Sequence, residues 1–214
     1  MRCPLCHEGR VSPFHTDRRR DYLRCEICRV VFVPPHQRLS PEEEEAEYNL
    51  HQNRADDAGY RRFLSRLFEP LTERLPANAQ GLDFGCGPGP ALAAMFEERG
   101  FPMALYDRFY ADFREVLTRR YDFITCTETV EHLFEPGDVF DRLFSILESG
   151  GWLGLMTKLV IDRDAFRRWH YKNDPTHVCF FSRETFQWLA ARHGCSLEFI
   201  GNDVILMQKE RIIR

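Results

Sequence analysis

The sequence predicts an α/β protein: a mainly parallel sheet with helices on both faces, preceded by a small cysteine-bearing module. Three observations predict it. From residue 81 onward, short apolar runs alternate with helical segments, the pattern of strand–helix–strand units. A glycine-rich turn, Gly85-Cys86-Gly87-Pro88-Gly89, sits where the first of those runs passes into a helix. Two Cys-x-x-Cys pairs occupy the first 28 residues.

The chain has 214 residues, which suits one medium domain and a small module. Apolar residues make up 43 %, enough to bury a sizeable core. A formal charge of -4 argues against the whole molecule being a polyanion binder. Met1-Arg2-Cys3-Pro4 runs straight into polar residues, so no apolar leader is expected. No run approaches the roughly 18 apolar residues of a membrane span. The expectation is a cytoplasmic protein.

Residues 1–38 form the first region. Cys3 and Cys6 are separated from Cys25 and Cys28 by 18 residues. Each pair makes a knuckle that presents two thiolates to one tetrahedral ion, so structural zinc is expected in a ribbon. A redox dithiol pair or an iron–sulfur site is the alternative. Tyr22-Leu23-Arg24 and Val30-Val31-Phe32-Val33 are the candidate ribbon strands. Zinc would substitute for a core too small to fold alone. The region carries eight Arg against four acidic residues. The triplet Arg18-Arg19-Arg20 leaves nucleic-acid recognition open beside that structural role.

Residues 39–76 read as helical. Ser40-Pro41-Glu42-Glu43 is a capping box with Pro at the first helical position. Gly59 is expected to split the region into two helices. In the second, Tyr60, Phe63, Leu64, Leu67, Phe68 and Leu71 recur at helical spacing. Tyr48, His51 and Asn53 are candidates to fold over a ligand, or are solvated helix positions.

Residues 77–214 form the main domain. Residues 81–84 predict a buried strand, 91–99 a helix closed by Gly100, 103–106 a second strand, and 123–126 a third. A helix over 139–147 ends at Gly150-Gly151, and a strand follows over 152–156. Ser182 caps a helix running to His193, closed by Gly194. Two short strands end the domain, at 196–200 and 204–207.

Leu82-Asp83-Phe84-Gly85-Cys86-Gly87-Pro88-Gly89 lets backbone approach a ligand closely. Asp107 ends the next strand, 18 residues beyond Gly89, where an acid can hydrogen-bond both hydroxyls of a ribose. D-x-G-C-G-x-G resembles motif I of class I S-adenosylmethionine-dependent methyltransferases, which have a Rossmann-like fold. The resemblance continues through Asp107, through Tyr121-Asp122-Phe123-Ile124, and through Leu147-Glu148-Ser149-Gly150-Gly151-Trp152-Leu153. It covers residues 81–208.

The resemblance implies a mainly parallel sheet of the seven-strand type with S-adenosylmethionine as cofactor. Asp83, Gly85, Cys86, Gly87 and Gly89 would face its methionine end and Asp107 its ribose. Thr127 and Glu128 would lie beside it. In this sequence only 13 residues separate Asp107 from Tyr121, so the third-strand region is shortened. The adenine contacts would then fall to Asp112 or Phe113.

Glu128, Glu131 and His132 follow the next strand, at the sheet edge where ligands bind. On a helical turn their spacing gathers them near one face. Two carboxylates and an imidazole can hold a hard divalent ion such as Mg²⁺ or Mn²⁺. His177, before an aromatic pair and a capped helix, is the candidate fourth ligand. This E-x-x-E-H…H pattern resembles two groups: the RNA 3′-terminal ribose 2′-O-methyltransferases and the O-methyltransferases of ubiquinone biosynthesis. In those groups a metal grips adjacent oxygens. Without a metal, His132, His170 or His177 becomes the general base. Trp169, Tyr171, Phe180 and Phe181 wall a substrate pocket or belong to the core.

The expected activity is methyl transfer to an oxygen of a small molecule or RNA. Carbon or nitrogen methylation of a metabolite or sugar is the alternative. A nucleic-acid-binding or scaffold protein with an inactive cofactor pocket is the rival of another class, and the intact glycines and Asp107 argue against it.

Overall fold

The computed structural model describes residues 1–50 and 55–211; His51 and Asn53 lie outside the described residues. In chain order the strands β1 (Val11–Thr16), β2 (Asp21–Cys25) and β3 (Val31–Phe32) come first. Helices α1 (Pro41–Tyr48) and α2 (Ala58–Thr72) follow. Then come β4 (Gly81–Phe84), α3 (Ala91–Glu98), β5 (Met103–Tyr106), β6 (Tyr121–Thr127), α4 (Pro136–Ile146) and β7 (Leu147–Met156). The chain ends with α5 (Arg163–Arg167), β8 (Cys179–Phe180), α6 (Arg183–His193), β9 (Cys195–Ile200) and β10 (Val204–Lys209).

The main sheet has the order β5-β4-β6-β7-β10-β9. Its first four strands pair in parallel, and β10 runs antiparallel to both neighbours. Helices cover both faces. On one, Leu64, Leu67 and Leu71 of α2 and Phe96 of α3 pack with Phe123 and Leu206. On the other, Phe140 and Leu143 of α4 and Phe186 of α6 pack with Ile124, Leu153 and Leu155. The close approach of α2 is made possible by Gly154, where an added Cβ would come within 3.0 Å of both Leu67 and Leu71.

Three expectations change. Gly59 does not divide two helices; it is the second residue of α2. The Asp57 carboxylate accepts from Tyr60 N at 2.6 Å and starts the helix there. Gly150-Gly151 do not terminate a helix. Chain extension begins at Leu147, whose backbone is already extended and which pairs with Tyr121. The two glycines fall inside β7 at a register shift, where Gly150 takes a φ of +83°. Finally, the shortened third-strand region holds no strand at all among the described residues. Residues 108–120 form a bridge from Asp107 to Ala111 and a 3-10 turn at Arg114–Thr118, leaving β5 at the sheet edge.

The N-terminal strands form a second sheet, β1-β2-β3-β8, whose last member comes from far downstream. Val31 pairs with Phe180 and Phe32 with Cys179. The first 38 residues therefore share a core with the main domain. Phe166 of α5 is at its centre, 1 % exposed, with the rings of Tyr22, Phe14 and Phe180 at 5.0, 5.3 and 5.3 Å. Phe166→Ala is expected to cost about 3–5 kcal/mol, the scale of a large cavity. Chemical denaturation followed by both tryptophan fluorescence and far-UV circular dichroism measures this.

Candidate functional site

A cleft of about 360 Å³ opens at the carboxyl ends of β4, β5 and β6, the expected ligand edge of such a sheet. Gly85, Cys86, Gly87 and Gly89 line one wall. Gly85 and Gly87 have φ of +78° and +64°, conformations that side chains disfavour. At Gly85 space forbids a side chain as well, since an added Cβ would meet Thr129 at 2.3 Å. Gly89 O accepts from Ala91 N at 2.7 Å, directly before the first helical bond of α3, from Ala94 N to Pro90 O.

Asp107 lines the same cleft and holds the turn together. Its Oδ2 accepts from Gly87 N at 3.0 Å, and its Oδ1 from Phe109 N and Tyr110 N at 2.9 and 3.2 Å. A carboxylate oxygen has two lone-pair sites, so Oδ2 keeps one for a ligand hydroxyl. Asp83 is different from the sequence expectation. It is 3 % exposed, accepts from Thr125 Oγ1 at 2.8 Å and lies beneath the cleft rather than on its wall. Burial raises its pKa to about 6.

Asp112 and Phe113 are not in the cleft. Asp112 pairs with Arg114 at 3.1 Å, and Phe113 is 58 % exposed. With no third strand to carry the chain away, the residues directly after Asp107 turn back, and Arg108, Phe109 and Tyr110 form the wall. Helix α1 closes over them. Glu44, 1 % exposed, accepts from Tyr48 Oη at 2.8 Å and pairs with Arg108 at 3.4 Å. Tyr110 Oη donates to Asn49 at 3.0 Å. The Tyr48 ring sits edge-on to His132 at 5.3 Å. Glu44 was hidden in a run of glutamates; its only sequence signal is Tyr48 four residues on.

At the other end of the cleft Glu131, His132 and His177 converge, with one ligating atom from each within 4.8 Å of the others. Val178 N donates to Glu131 O at 2.8 Å and ties the two segments together. Glu131 is fully buried; Tyr171 Oη donates to its Oε1, and its Oε2 has no hydrogen-bond partner among the described residues. Burial raises its pKa. His177 Nδ1 lies 2.8 Å from Tyr171 O, which assigns the proton to Nδ1 and leaves Nε2 as acceptor or ligand. Burial also lowers the His177 pKa, against the opposing charge of Asp174.

Glu128 does not join this group. Its φ of +47° breaks the turn, which begins only at Val130, so the carboxylate lines the cleft beside Thr127 and Thr129. His170 is exposed and outside the cleft. Trp169, Tyr171, Phe180 and Phe181 do not wall it; Trp169 packs with Phe166, Tyr171 and Phe180, and Phe181 packs with Phe140 and Phe186.

One carboxylate oxygen and two imidazole nitrogens fit a divalent ion with open positions. Ligand distances of about 2.1 Å require only small side-chain adjustments. Tyr171 supplies outer support to Glu131 through its hydroxyl and to His177 through its carbonyl.

The four N-terminal cysteines form the other candidate metal site. Their thiols gather within 4.8 Å, with Sγ pairs Cys3–Cys28 at 3.5 Å and Cys6–Cys25 at 3.4 Å. None is in a disulfide. The edge of a tetrahedron with bonds of about 2.3 Å is about 3.8 Å, so the set fits zinc. The arginine triplet, in the β1–β2 turn at the opposite end of the hairpin, is not a uniform solvated patch: Arg18 and Arg19 are exposed, but Arg20 is buried. No helix among the described residues is long and apolar enough to cross a membrane.

A family model of the methyltransferase domain matches residues 51–198. No curated protein matches the sequence. Among solved structures, the chain is similar to the Burkholderia thailandensis 1,6-didemethyltoxoflavin-N1-methyltransferase with bound 1,6-didemethyltoxoflavin and S-adenosylhomocysteine. Identity is 15 % and the TM-score 0.56, over 93 % of this chain and 99 % of that one. It is similar to a SAM-dependent methyltransferase from Archaeoglobus fulgidus, at 16 % identity and TM-score 0.55, over 70 % of this chain and 94 % of that one. Human N-acetylserotonin methyltransferase in complex with SAM gives 14 % and 0.53, over 79 % and 57 %. At these identities the likeness is one of fold.

Proposed function

Because the chain belongs to the methyltransferase-domain family, we propose that it transfers a methyl group from S-adenosylmethionine to an oxygen of a small molecule or RNA, with Glu131, His132 and His177 holding a divalent ion at the acceptor. One observation carries the reading. The glycine turn, Asp107 and the two histidines line a single cleft, with Glu131 buried behind them.

In this reading Gly85 and Gly87 keep one wall free of side chains, and Asp107 Oδ2 accepts from the ribose. Phe109, Tyr110 and Tyr48 offer aromatic faces to the adenine and exclude water. S-adenosylmethionine would supply the methyl group as an electrophile, and a divalent ion held by Glu131, His132 and His177 would supply Lewis acidity at the acceptor. His177 Nε2 has the tautomer to ligate the ion or, without one, to take the hydroxyl proton. Asp174, 3.7 Å from that nitrogen, would steady the charge that follows. The relatives in fold include an N1-methyltransferase and an O-methyltransferase family protein. Oxygen is preferred because a hydroxyl needs the activation that this trio offers.

Asp107→Ala is expected to weaken S-adenosylhomocysteine binding by about 1.5–3 kcal/mol, the scale of a charge-assisted hydrogen bond. Calorimetry reads this, and unchanged affinity removes Asp107 from the cofactor site. The reading as a whole is tested with methyl-labelled S-adenosylmethionine and a cell extract fractionated into RNA, protein and small molecules. Label is expected in the RNA or small-molecule fraction, bound as an ether or ester, and dependent on added Mg²⁺ or Mn²⁺. Label on nitrogen or carbon, independent of added metal, would overturn it.

A further inference from the structure

We propose that Arg20 is a positioning residue for His177, so that the N-terminal ribbon sets the geometry of the acceptor end of the cleft. This rests on the reading that His177 acts there. The segment 172–178 carries both Asp174 and His177, yet most of its carbonyls are held by the ribbon rather than by a strand or helix of its own. Arg20 Nη1 donates to Pro175 O at 2.9 Å and to His177 O at 3.0 Å. Its Nη2 donates to Lys172 O at 2.6 Å and Asp174 O at 2.9 Å. Arg19 Nη1 takes the remaining neighbour, Asn173 O, at 2.9 Å.

The guanidinium is itself placed by the ribbon turn. Asp17 Oδ1 accepts from Arg19 N and Arg20 N at 2.9 and 3.1 Å. Asp17 Oδ2 accepts from Lys172 Nζ at 2.5 Å. Arg20 is 8 % exposed, so water does not compete for these carbonyls. Beyond His177 the chain stays on the ribbon: Val33 N donates to Val178 O at 2.9 Å, and β8 pairs with β3. A rigid fork that grips four carbonyls fixes the peptide planes on both sides of Asp174 and His177. It thereby sets where the His177 ring emerges. Arg20 lies in the hairpin turn directly before β2 and Cys25 ends that strand, so the cysteine cluster anchors the far end of the same hairpin.

Arg20→Lys keeps the charge but cannot reach four carbonyls at once. Asp17→Asn keeps an Oδ1 acceptor for the turn but loses the ion pair to Lys172, whose carbonyl Arg20 holds. Both variants are made in the full chain and compared with Phe166→Ala, which loosens the same core but removes no hydrogen-bond donor to the carbonyls. The readout is the ¹⁵N-resolved NMR signature of the His177 ring, with S-adenosylhomocysteine affinity measured in parallel. In the wild-type protein His177 is expected to show a neutral ring protonated at Nδ1. In Arg20→Lys that signature should give way to exchange between tautomers, and in Asp17→Asn to a smaller shift. Phe166→Ala should keep it, and S-adenosylhomocysteine affinity should stay within about twofold throughout. Methyl transfer should fall about tenfold to a hundredfold in Arg20→Lys, the effect of displacing a reacting group by an ångström or so. A wild-type His177 signature in both variants overturns the proposal, as does its loss in Phe166→Ala to the same degree. A changed His177 with undiminished methyl transfer upholds the positioning and instead removes His177 from the reaction.

Discussion

Cys25→Ser should release one zinc per chain and lower the stability of the whole molecule, not only of its first 38 residues. Cys3, Cys25 and Cys28 are fully buried, and the sequence around them has too few apolar residues to fold unaided. Zinc in such sites contributes about 10–16 kcal/mol at neutral pH, comparable with the entire stability of a domain, about 5–15 kcal/mol. From the sequence, loss of a structural zinc is expected to unfold the first 38 residues while the later domain still binds cofactor. The shared core argues otherwise, because Val31, Phe32 and Tyr22 pack in one cluster with Phe180, Phe181 and Leu155. Elemental analysis of freshly purified protein and two-probe thermal unfolding check both parts. Wild-type protein without zinc, or with iron in its place, refutes the metal assignment. A ribbon that melts separately while the rest keeps its wild-type midpoint refutes the shared-core account.

Glu131→Gln should lower methyl transfer by about 10²–10⁴-fold without lowering stability. Glutamine keeps the shape and can still accept from Tyr171 Oη. It places an amide on the oxygen position that the trio needs bare. The stability part follows from the sign of the pKa shift. Burial raises the Glu131 carboxyl above its ordinary value of 4.5. The charged form therefore disfavours the apo fold as the pH rises above that value, and a neutral isostere removes the penalty. Denaturant titrations of wild type and variant at neutral pH, with zinc kept in the ribbon and no Mg²⁺ or Mn²⁺ added, should show the variant at least as stable. Full activity in Glu131→Gln would remove Glu131 from the site; low activity with a collapsed fold would make its role structural.

How far the sequence reaches can be seen residue by residue. The order of strands and helices after residue 81 was legible because each buried strand and amphipathic helix writes its own period. So was the absence of room for a third strand, from the 13 residues between Asp107 and Tyr121. Strand β8 was not, because two residues become a strand only through pairing with Val31 and Phe32, distant in sequence. The glycine turn and the cysteine pairs were legible because the backbone or the ion demands those residue types at that spacing. Glu128 was misread because spacing assumes a helical turn, and a φ of +47° removes it. Arg20 could not be told from the other two arginines of the triplet because the carbonyls it holds lie 152–157 residues away.

In the proposed function the glycine turn and the Glu131–His132–His177 trio are two ends of one active site. A crystal structure of the zinc-bearing protein with S-adenosylhomocysteine and Mn²⁺ tests it most directly. The expected result is the ribose on Asp107, the sulfur pointing toward the trio, and manganese anomalous signal between Glu131 Oε2, His132 and His177 Nε2. A cofactor bound with its sulfur directed away from the trio, or manganese absent from those three side chains while the cofactor is in place, would contradict it.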